Sequence, residues 1–299
     1  MKKWIILGIL VLLLLLLFLF IIFGPLSFIG NGLAGNLYLK IFKKDGVFIS
    51  NYVTNGYPVS AVASKNTPYL IAGAGLQSGG YPLELINTTS GEKINIDNDA
   101  GKMSGYPFSP NGDKFIYPVL RKDTVFVSDT NSKFYYYYDL YVYDILSKTK
   151  KLITSKVDGY LLNTYAESVY GWLDDSLIAY VCDSRQTYYP TKGCIYDMKS
   201  QKTTETSIPL SIIDPKVNEP NIPTSHDYMD CFDNFDVSMC AYIKLSFHVW
   251  DGMLFQEIWV KNKEKNEIVY RDTSRVSALY WTADNHLYGV FTDRLLKLY

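Results

Sequence analysis

Apolar and polar positions alternate in short runs from about residue 37 to the end of this chain. Runs rich in Val, Ile, Tyr and Phe are punctuated by turns of Asn, Asp, Gly, Ser and Lys. A period of two is the signature of half-buried strands, and no stretch sustains the 3.6-residue apolar period of a helix. One segment breaks the alternation. Trp4 to Phe23 is a run of twenty apolar residues with no charge inside it. At about 1.5 Å of rise per residue, some 20 residues span roughly 30 Å of hydrocarbon, so this run predicts a transmembrane helix.

The strand pattern repeats. "GYPFSPNGDKFIYPVL", "VYGWLDDSLIAYV" and "ALYWTADNHLYGVF" each place an apolar or aromatic residue before a tight polar turn and a strongly apolar strand. "DNFDVSMCAYIKL" and "AVASKNTPYLIAGA" do so more loosely. The expected anchor residues are Ala63, Phe108, Trp172, Phe235 and Trp281, at spacings of 45, 64, 63 and 46. A second hairpin follows the first four, most clearly in "LYVYDILSKTKKLIT". Four strands per repeat at a period of 45 or more is the pattern of a β-propeller blade. The expectation is therefore an all-β propeller with five blades favoured and six possible. The blades are 54–98, 99–156, 157–206, 207–272 and 273–299. The last copy stops after three strands, and residues 43–53 are expected to supply its fourth, removing an exposed sheet edge.

"FSPNGDKFIY" followed by "DLYVYDILSKTKKLIT" resembles the WD40-like repeat of TolB-type propellers and of the propeller domains of prolyl oligopeptidase relatives. There, a "SPDG"-type turn precedes a strand, and an "I-x-V-x-D" strand leads into a "G-x-x-x-x-L-T" ending. The match is strongest over residues 105–155, with Asn111-Gly112 where the family usually has Asp-Gly. The resemblance implies a binding platform or substrate gate rather than chemistry.

The N-terminal run sets the compartment. Lys2 and Lys3 precede it and no further charge appears before Lys40, so the positive-inside rule leaves a short cytoplasmic N-terminus and exports the rest. Residues 1–23 read as a signal anchor, 24–36 as a flexible linker and 37–299 as the extracytoplasmic domain, periplasmic or extracellular. A cleaved signal peptide is the rival, but its apolar region is shorter and ends at a small-x-small site. Without Lys2 and Lys3, 27 of the 29 basic residues face 30 acidic ones, a net charge of −3. No basic stripe supports nucleic-acid binding. Cys182, Cys194, Cys231 and Cys240 form two local pairs beyond a membrane segment, which favours disulfides. The Cys231–Cys240 bridge is the less secure, because the turn near Val237 does not set the two directly opposite. His226, His248 and His286 lack zinc-ligand spacing from the cysteines, so neither metal nor cofactor is expected.

"KFYYYYDLYVYD", Lys133 to Asp144, places six tyrosines among twelve residues. One reading is inter-blade packing on both faces: Phe134, Tyr136, Tyr138, Leu140 and Val142 towards one neighbour, Tyr135, Tyr137, Tyr141 and Tyr143 towards the other. The other is a ligand platform at Tyr135 and Tyr136. Hydrolase signals are weak, with no G-x-S-x-G elbow in the sequence. Asp97 and Asp99, just before the next blade, are the carboxylates to weigh if the channel binds or hydrolyses glycans. The favoured function is a non-enzymatic scaffold binding a protein or peptide through its long loops. Tyr188, Tyr189 and Pro190 sit in "DSRQTYYPTKG", and Trp250 and Met253 flank Asp251-Gly252, which reads as a two-residue turn.

Overall fold

The structure is a computed structural model that describes residues 11, 44–51, 59–74, 80–101, 103, 106–127, 134–158, 170–182, 193–206, 231–248, 253–291 and 294–299. The anchor helix at 4–23, apart from Val11, and the linker at 24–36 lie outside these. No helix among the described residues is long and apolar enough to cross a membrane. The chain forms two compact units. The larger holds residues 48–224, 277–297 and 299; the smaller holds 1–47, 225–276 and 298.

From residue 44 on, the described chain is all-β and mostly antiparallel. Short β1 (Val47–Asn51) is followed by a meander of β2 (Val59–Ala63), β3 (Tyr69–Ala74), β4 (Tyr81–Asn87) and β5 (Lys93–Ala100). Next come β6 (Lys114–Val127), β7 (Phe134–Asp144) and β8 (Thr149–Asp158), then β9 (Tyr170–Trp172), β10 (Leu177–Val181), β11 (Gly193–Asp197) and β12 (Lys202–Thr206). The smaller unit contributes β13 (Phe232–Asp233), β14 (Cys240–His248), β15 (Met253–Lys261) and β16 (Asn266–Asp272). The chain ends with β17 (Ala278–Trp281), β18 (Leu287–Val290) and β19 (Arg294–Lys297).

Hydrogen bonding groups these strands into four-stranded sheets β9–β12 and β13–β16, a seven-stranded sheet β2–β8, and a fourth sheet in the order β1-β19-β18-β17. The seven-stranded sheet is two meanders joined by one residue pair, Ala100 with Val119. An isolated bridge from Phe108 to Phe115 supplies the first strand of the second meander. β1, more than 240 residues earlier in the chain than β19, lies beside it.

Within the larger unit the sheets meet through alternate faces. Ala61, Ala63, Leu70, Ala72 and Ile86 pack on Val290 and Leu295. The opposite face of the same meander sets Ile71, Leu83 and Leu85 on Phe115, Tyr117 and Tyr143. The other face of β7 sends Tyr138, Leu140 and Val142 against Trp172, Ile178 and Tyr180. Trp172 Nε1 also donates to the Pro107 carbonyl at 2.8 Å in the buried interior, tying two sheets by a directed bond.

The turns repeat more regularly than the strands. At the end of each first strand a backbone N–H returns across the turn: Ser64 to Tyr69, Ser109 to Lys114, Leu173 to Leu177, Asn234 to Met239 and Thr282 to His286. Four of these positions are buried polar residues, Ser64, Ser109, Asn234 and Thr282. Their side chains clasp the turn: Met239 N–H reaches Asn234 Oδ1 at 2.9 Å, and His286 N–H reaches Thr282 Oγ1 at 3.1 Å. This corrects the repeat. Counting back from Asn234, the equivalent of Ala63, Phe108, Trp172 and Trp281 is Asp233 and not Phe235. The sequence points to Phe235 because it is aromatic, but the turn is placed by the buried polar clasp after the anchor.

The third residue after the clasp is left-handed in three copies, with φ of 78° at Gly112, 58° at Val237 and 61° at Asn285. Glycine and asparagine suit this region, whereas a β-branched valine is strained there. The second turn of each unit has its own rule. Asn87, Asp144, Asp197 and Asn262 each accept backbone N–H groups two or three residues on, forming Asx turns.

Candidate functional site

The expected binding segments connect the second and third strands of their sheets. Tyr188, Tyr189, Pro190 and Trp250 lie outside the described residues. Their bases are described. β10 and β11 pair Tyr180 with Cys194 and Val181 with Gly193, so Cys182 stands diagonally across from Cys194 on the same face. The two are joined by a disulfide, with Cα atoms 5.6 Å apart. This bond closes the chain around residues 183–192, which in the chain-entropy model is worth about 3 kcal/mol.

Cys231 and Cys240 are also joined, at a Cα separation of 5.5 Å. β13 and β14 pair Asp233 with Cys240, which makes Cys231 another diagonal neighbour. The turn near Val237 therefore does not set the cysteines opposite, and a diagonal suffices.

Met253 opens β15 and pairs with His248, leaving residues 249–252 as the connection. A two-residue turn at Asp251-Gly252 would instead have paired Met253 with Trp250. The register is set along the described hairpin by inward Ala241 and Ile243 meeting Val260 and Ile258, and Asp251-Gly252 itself lies outside the described residues.

The tyrosine strand packs on both faces where its side chains are described. Tyr141 stacks on Tyr117 with ring centroids 6.0 Å apart, and Tyr143 meets Phe115 at 5.3 Å. Tyr138 turns to the other seam. Tyr135 and Tyr136 pair through their backbones with Phe126 and Val125; their side chains lie outside the described part. The Tyr117 hydroxyl is fully buried and has no hydrogen-bond partner among the described residues. Burial drives its pKa upward, and Asp97, Tyr141 and Tyr143 push the same way.

Asp97 and Asp99 fall inside β5, the strand farthest from β2 in its meander, rather than in a connection before the next sheet. Lys150 Nζ, on β8, stands 3.0 Å from Asp97 Oδ2 and 5.2 Å from the Tyr141 ring centroid. Asp97 Oδ1 also accepts the Asp99 N–H at 3.1 Å. The neighbourhood of Asp97 is thus an ion pair between β5 and β8.

Other carboxylates serve turns. At Asp144, burial raises the pKa but the Ser147 N–H and hydroxyl, with Lys114, outweigh it and the net shift is downward. The Ser176 N–H holds Asp174 low, and the Ser200 hydroxyl does the same for Asp197. Asp175 Oδ1 accepts the Asn111 N–H at 2.8 Å, linking two turns from neighbouring sheets. Carboxyls held low are ionised at neutral pH and do not supply the proton a glycosidase acid must give.

Two polar clusters have no signal in the sequence. Asp284 accepts the hydroxyls of Thr282 at 2.6 Å, Thr88 at 2.9 Å and Thr89 at 2.8 Å, and His286 Nδ1 lies 3.0 Å away. Burial raises its pKa, but the three threonines and His286 bring it below its ordinary 3.8. In the smaller unit, buried Glu257 takes the Arg271 guanidinium at 2.7 Å and the Trp259 indole N–H at 3.1 Å. A threonine beside a serine in a turn does not announce an aspartate 195 residues on, and a glutamate within a strand does not announce which cross-strand residue it pairs with. Among the described residues, no three His, Cys, Asp or Glu side chains gather as a metal site.

No family model matches the chain, and no curated protein matches it. Solved structures similar to it include an oligogalacturonate lyase in complex with manganese, at 14% identity and TM-score 0.30, covering 77% of this chain and 57% of that one. A putative TolB from Agrobacterium tumefaciens matches at 12% identity and TM-score 0.30, covering 79% and 73%. The β-propeller domain of the trilobed protease from Pyrococcus furiosus matches at 11% identity and TM-score 0.29, covering 86% and 71%. The chain spans only 25% of the tricorn protease that it also resembles. A likeness at these scores says nothing of ligand or activity.

Proposed function

We propose that this chain is a membrane-anchored, extracytoplasmic five-bladed β-propeller that binds a protein or peptide without catalysing a reaction. The blades are the β2–β5 meander, the Phe108 bridge with β6–β8, β9–β12, β13–β16, and β17–β19 closed by β1. Residues 4–23 hold it to the membrane, with the N-terminus cytoplasmic. The binding residues are those of the connections between second and third strands: Tyr188, Tyr189 and Pro190, with Trp250 and Met253.

The observation that carries this reading is the Cys182–Cys194 disulfide at the base of residues 183–192. A structural disulfide suits an oxidising compartment, and a loop stapled at its base loses less entropy when it binds. Asp97, Asp144, Asp174 and Asp197 are engaged in turns and an ion pair, which favours binding over glycoside chemistry.

Photo-crosslinking in the native cell tests the proposal, with the probe at Tyr189 and at Trp250 and a control at Asn111 in a short turn. A discrete protein adduct from the first two positions and none from the control is expected. Adducts at all three alike, or at none, would remove this site. Replacing Tyr188, Tyr189 and Trp250 together with Ala is expected to abolish partner recovery while the unfolding temperature stays within a few degrees of the parent.

A further inference from the structure

In the proposed blades the fourth strand is the outer one, and four of the five are charged. "KINIDNDA", "TKKLITSKVD", "KTTET" and "NEIVYRD" each carry at least two charged side chains. Charges on outer strands block edge-to-edge association. β1, "VFISN", occupies the same position beside β19 and carries none. Ile49 turns inward and packs on the core of its sheet. Val47, two residues earlier on the same face, is 65% exposed, and Phe48, on the opposite face, is 56% exposed. The start of β1 is therefore an uncharged edge presenting apolar side chains to solvent on both faces.

We infer that this edge seats on the bilayer surface, with Val47 and Phe48 among the lipid headgroups, so that the ectodomain has a fixed orientation on the membrane. The inference rests on the proposed membrane anchor. Three observations favour a bilayer over another strand. Residue 47 follows the apolar run by only 24 positions, so the membrane is always within reach at a high effective concentration. Lys44 Nζ donates to the Ile268 carbonyl and its backbone is bridged to Arg271 of β16, which leaves Lys40 and Lys43 against Asp45, a net charge of +1 just before β1, suited to anionic lipid. The Ile49 carbonyl already accepts Lys93 Nζ at 2.8 Å, so an incoming strand meets an occupied acceptor while the apolar side chains stay available. An edge with free backbone groups cannot enter hydrocarbon, which limits the contact to the interfacial layer.

The test uses the full chain reconstituted into phosphatidylcholine vesicles containing phosphatidylglycerol. Single cysteines replace Val47 or Phe48 and carry a nitroxide; both native pairs are disulfide-bonded, so the new thiol takes the label. Leu12→Cys reports the anchor, and Leu146→Cys, at a turn position 78% exposed, reports bulk water. The ratio of oxygen to nickel-chelate accessibility at 47 and 48 is expected to be several-fold above that at 146 and below that at 12. A ratio at 47 and 48 equal to that at 146, with position 12 in lipid, overturns the inference and leaves the anchor standing. Aqueous values at position 12 as well overturn both. Strong dipolar broadening at 48 that vanishes on dilution with unlabelled protein overturns it too, and makes the occupant a second copy of this chain.

Discussion

The β2–β5 meander is packed on its two faces by different means. One face meets β17–β19 and β1 mainly through small and aliphatic side chains, Ala61, Ala63, Leu70, Ala72 and Ile86 against Val290 and Leu295, with the single buried ring of Tyr288 among them. The other meets β6 and β7 through rings, Phe108, Phe115, Tyr117 and Tyr143. In this aliphatic seam the Tyr280 hydroxyl is bonded to the Ala61 backbone, and at its turns Asp284 gathers three threonine hydroxyls. The aromatic seam brings polar atoms inside with its tyrosines and leaves the Tyr117 hydroxyl unsatisfied among the described residues. One four-stranded unit thus accepts either filling, but rings that fill space with a hydroxyl attached must place that hydroxyl, and the Tyr117 hydroxyl has no partner among the described residues.

The largest expected effect lies in the aliphatic seam. Leu70 is completely buried among close-packed neighbours, so Leu70→Ala leaves a cavity and is expected to cost about 3 kcal/mol in urea unfolding. A cost below about 1 kcal/mol would mean that this seam is loose and collapses around the gap. At the margin of the aromatic seam, Gly112 has φ of 78°, and a Cβ there would sit 2.5 Å from Ser64 Oγ and 2.9 Å from Thr67 Oγ1. Gly112→Ala is therefore expected to lower stability by about 1–2 kcal/mol from conformation alone.

Tyr117→Phe has the opposite sign. Removing a buried hydroxyl without a partner, at constant ring volume, is expected to raise stability by about 1 kcal/mol. A loss instead would show that the hydroxyl has a partner and that the two seams are equally satisfied. The smallest effect is the pH dependence of the Asp284 clasp. Its folded pKa is below the ordinary value, so its contribution is present above 3.8 and is lost as pH falls through and below that value. The difference in urea midpoint between the parent and Asp284→Asn is expected at pH 6 and should shrink by pH 3; a constant difference would separate the clasp from ionisation.

Much of the fold is legible in the chain because its signals are local. "SPNGD" and "VYDILSK" specify turns through residues that bond their own backbone, and the alternation of Tyr138 to Val142 assigns each side chain to a face whatever lies beyond it. The cysteines flanking residues 183–192 can be paired because they bracket one hairpin. Asp233 escapes notice as an anchor because that copy keeps the polar clasp without the apolar residue that marks the others. Asp97 is misplaced because the residues of "NIDNDAG" suit the end of a strand and a loop equally well.

The antiparallel four-stranded repeat, the turn chemistry and the placing of β1 after an incomplete last unit are written in the chain. They follow from backbone and nearest-neighbour energies, which adjacent residues carry. Tertiary packing was needed to bring Asp97 to Lys150, to gather Thr88 and Thr89 at Asp284, to leave the Tyr117 hydroxyl without a partner among the described residues and to pair Met253 with His248. Each depends on how one packed sheet is set against another, or on the register of a long hairpin. Those are fixed by the sum of many buried contacts rather than by any short stretch of chain.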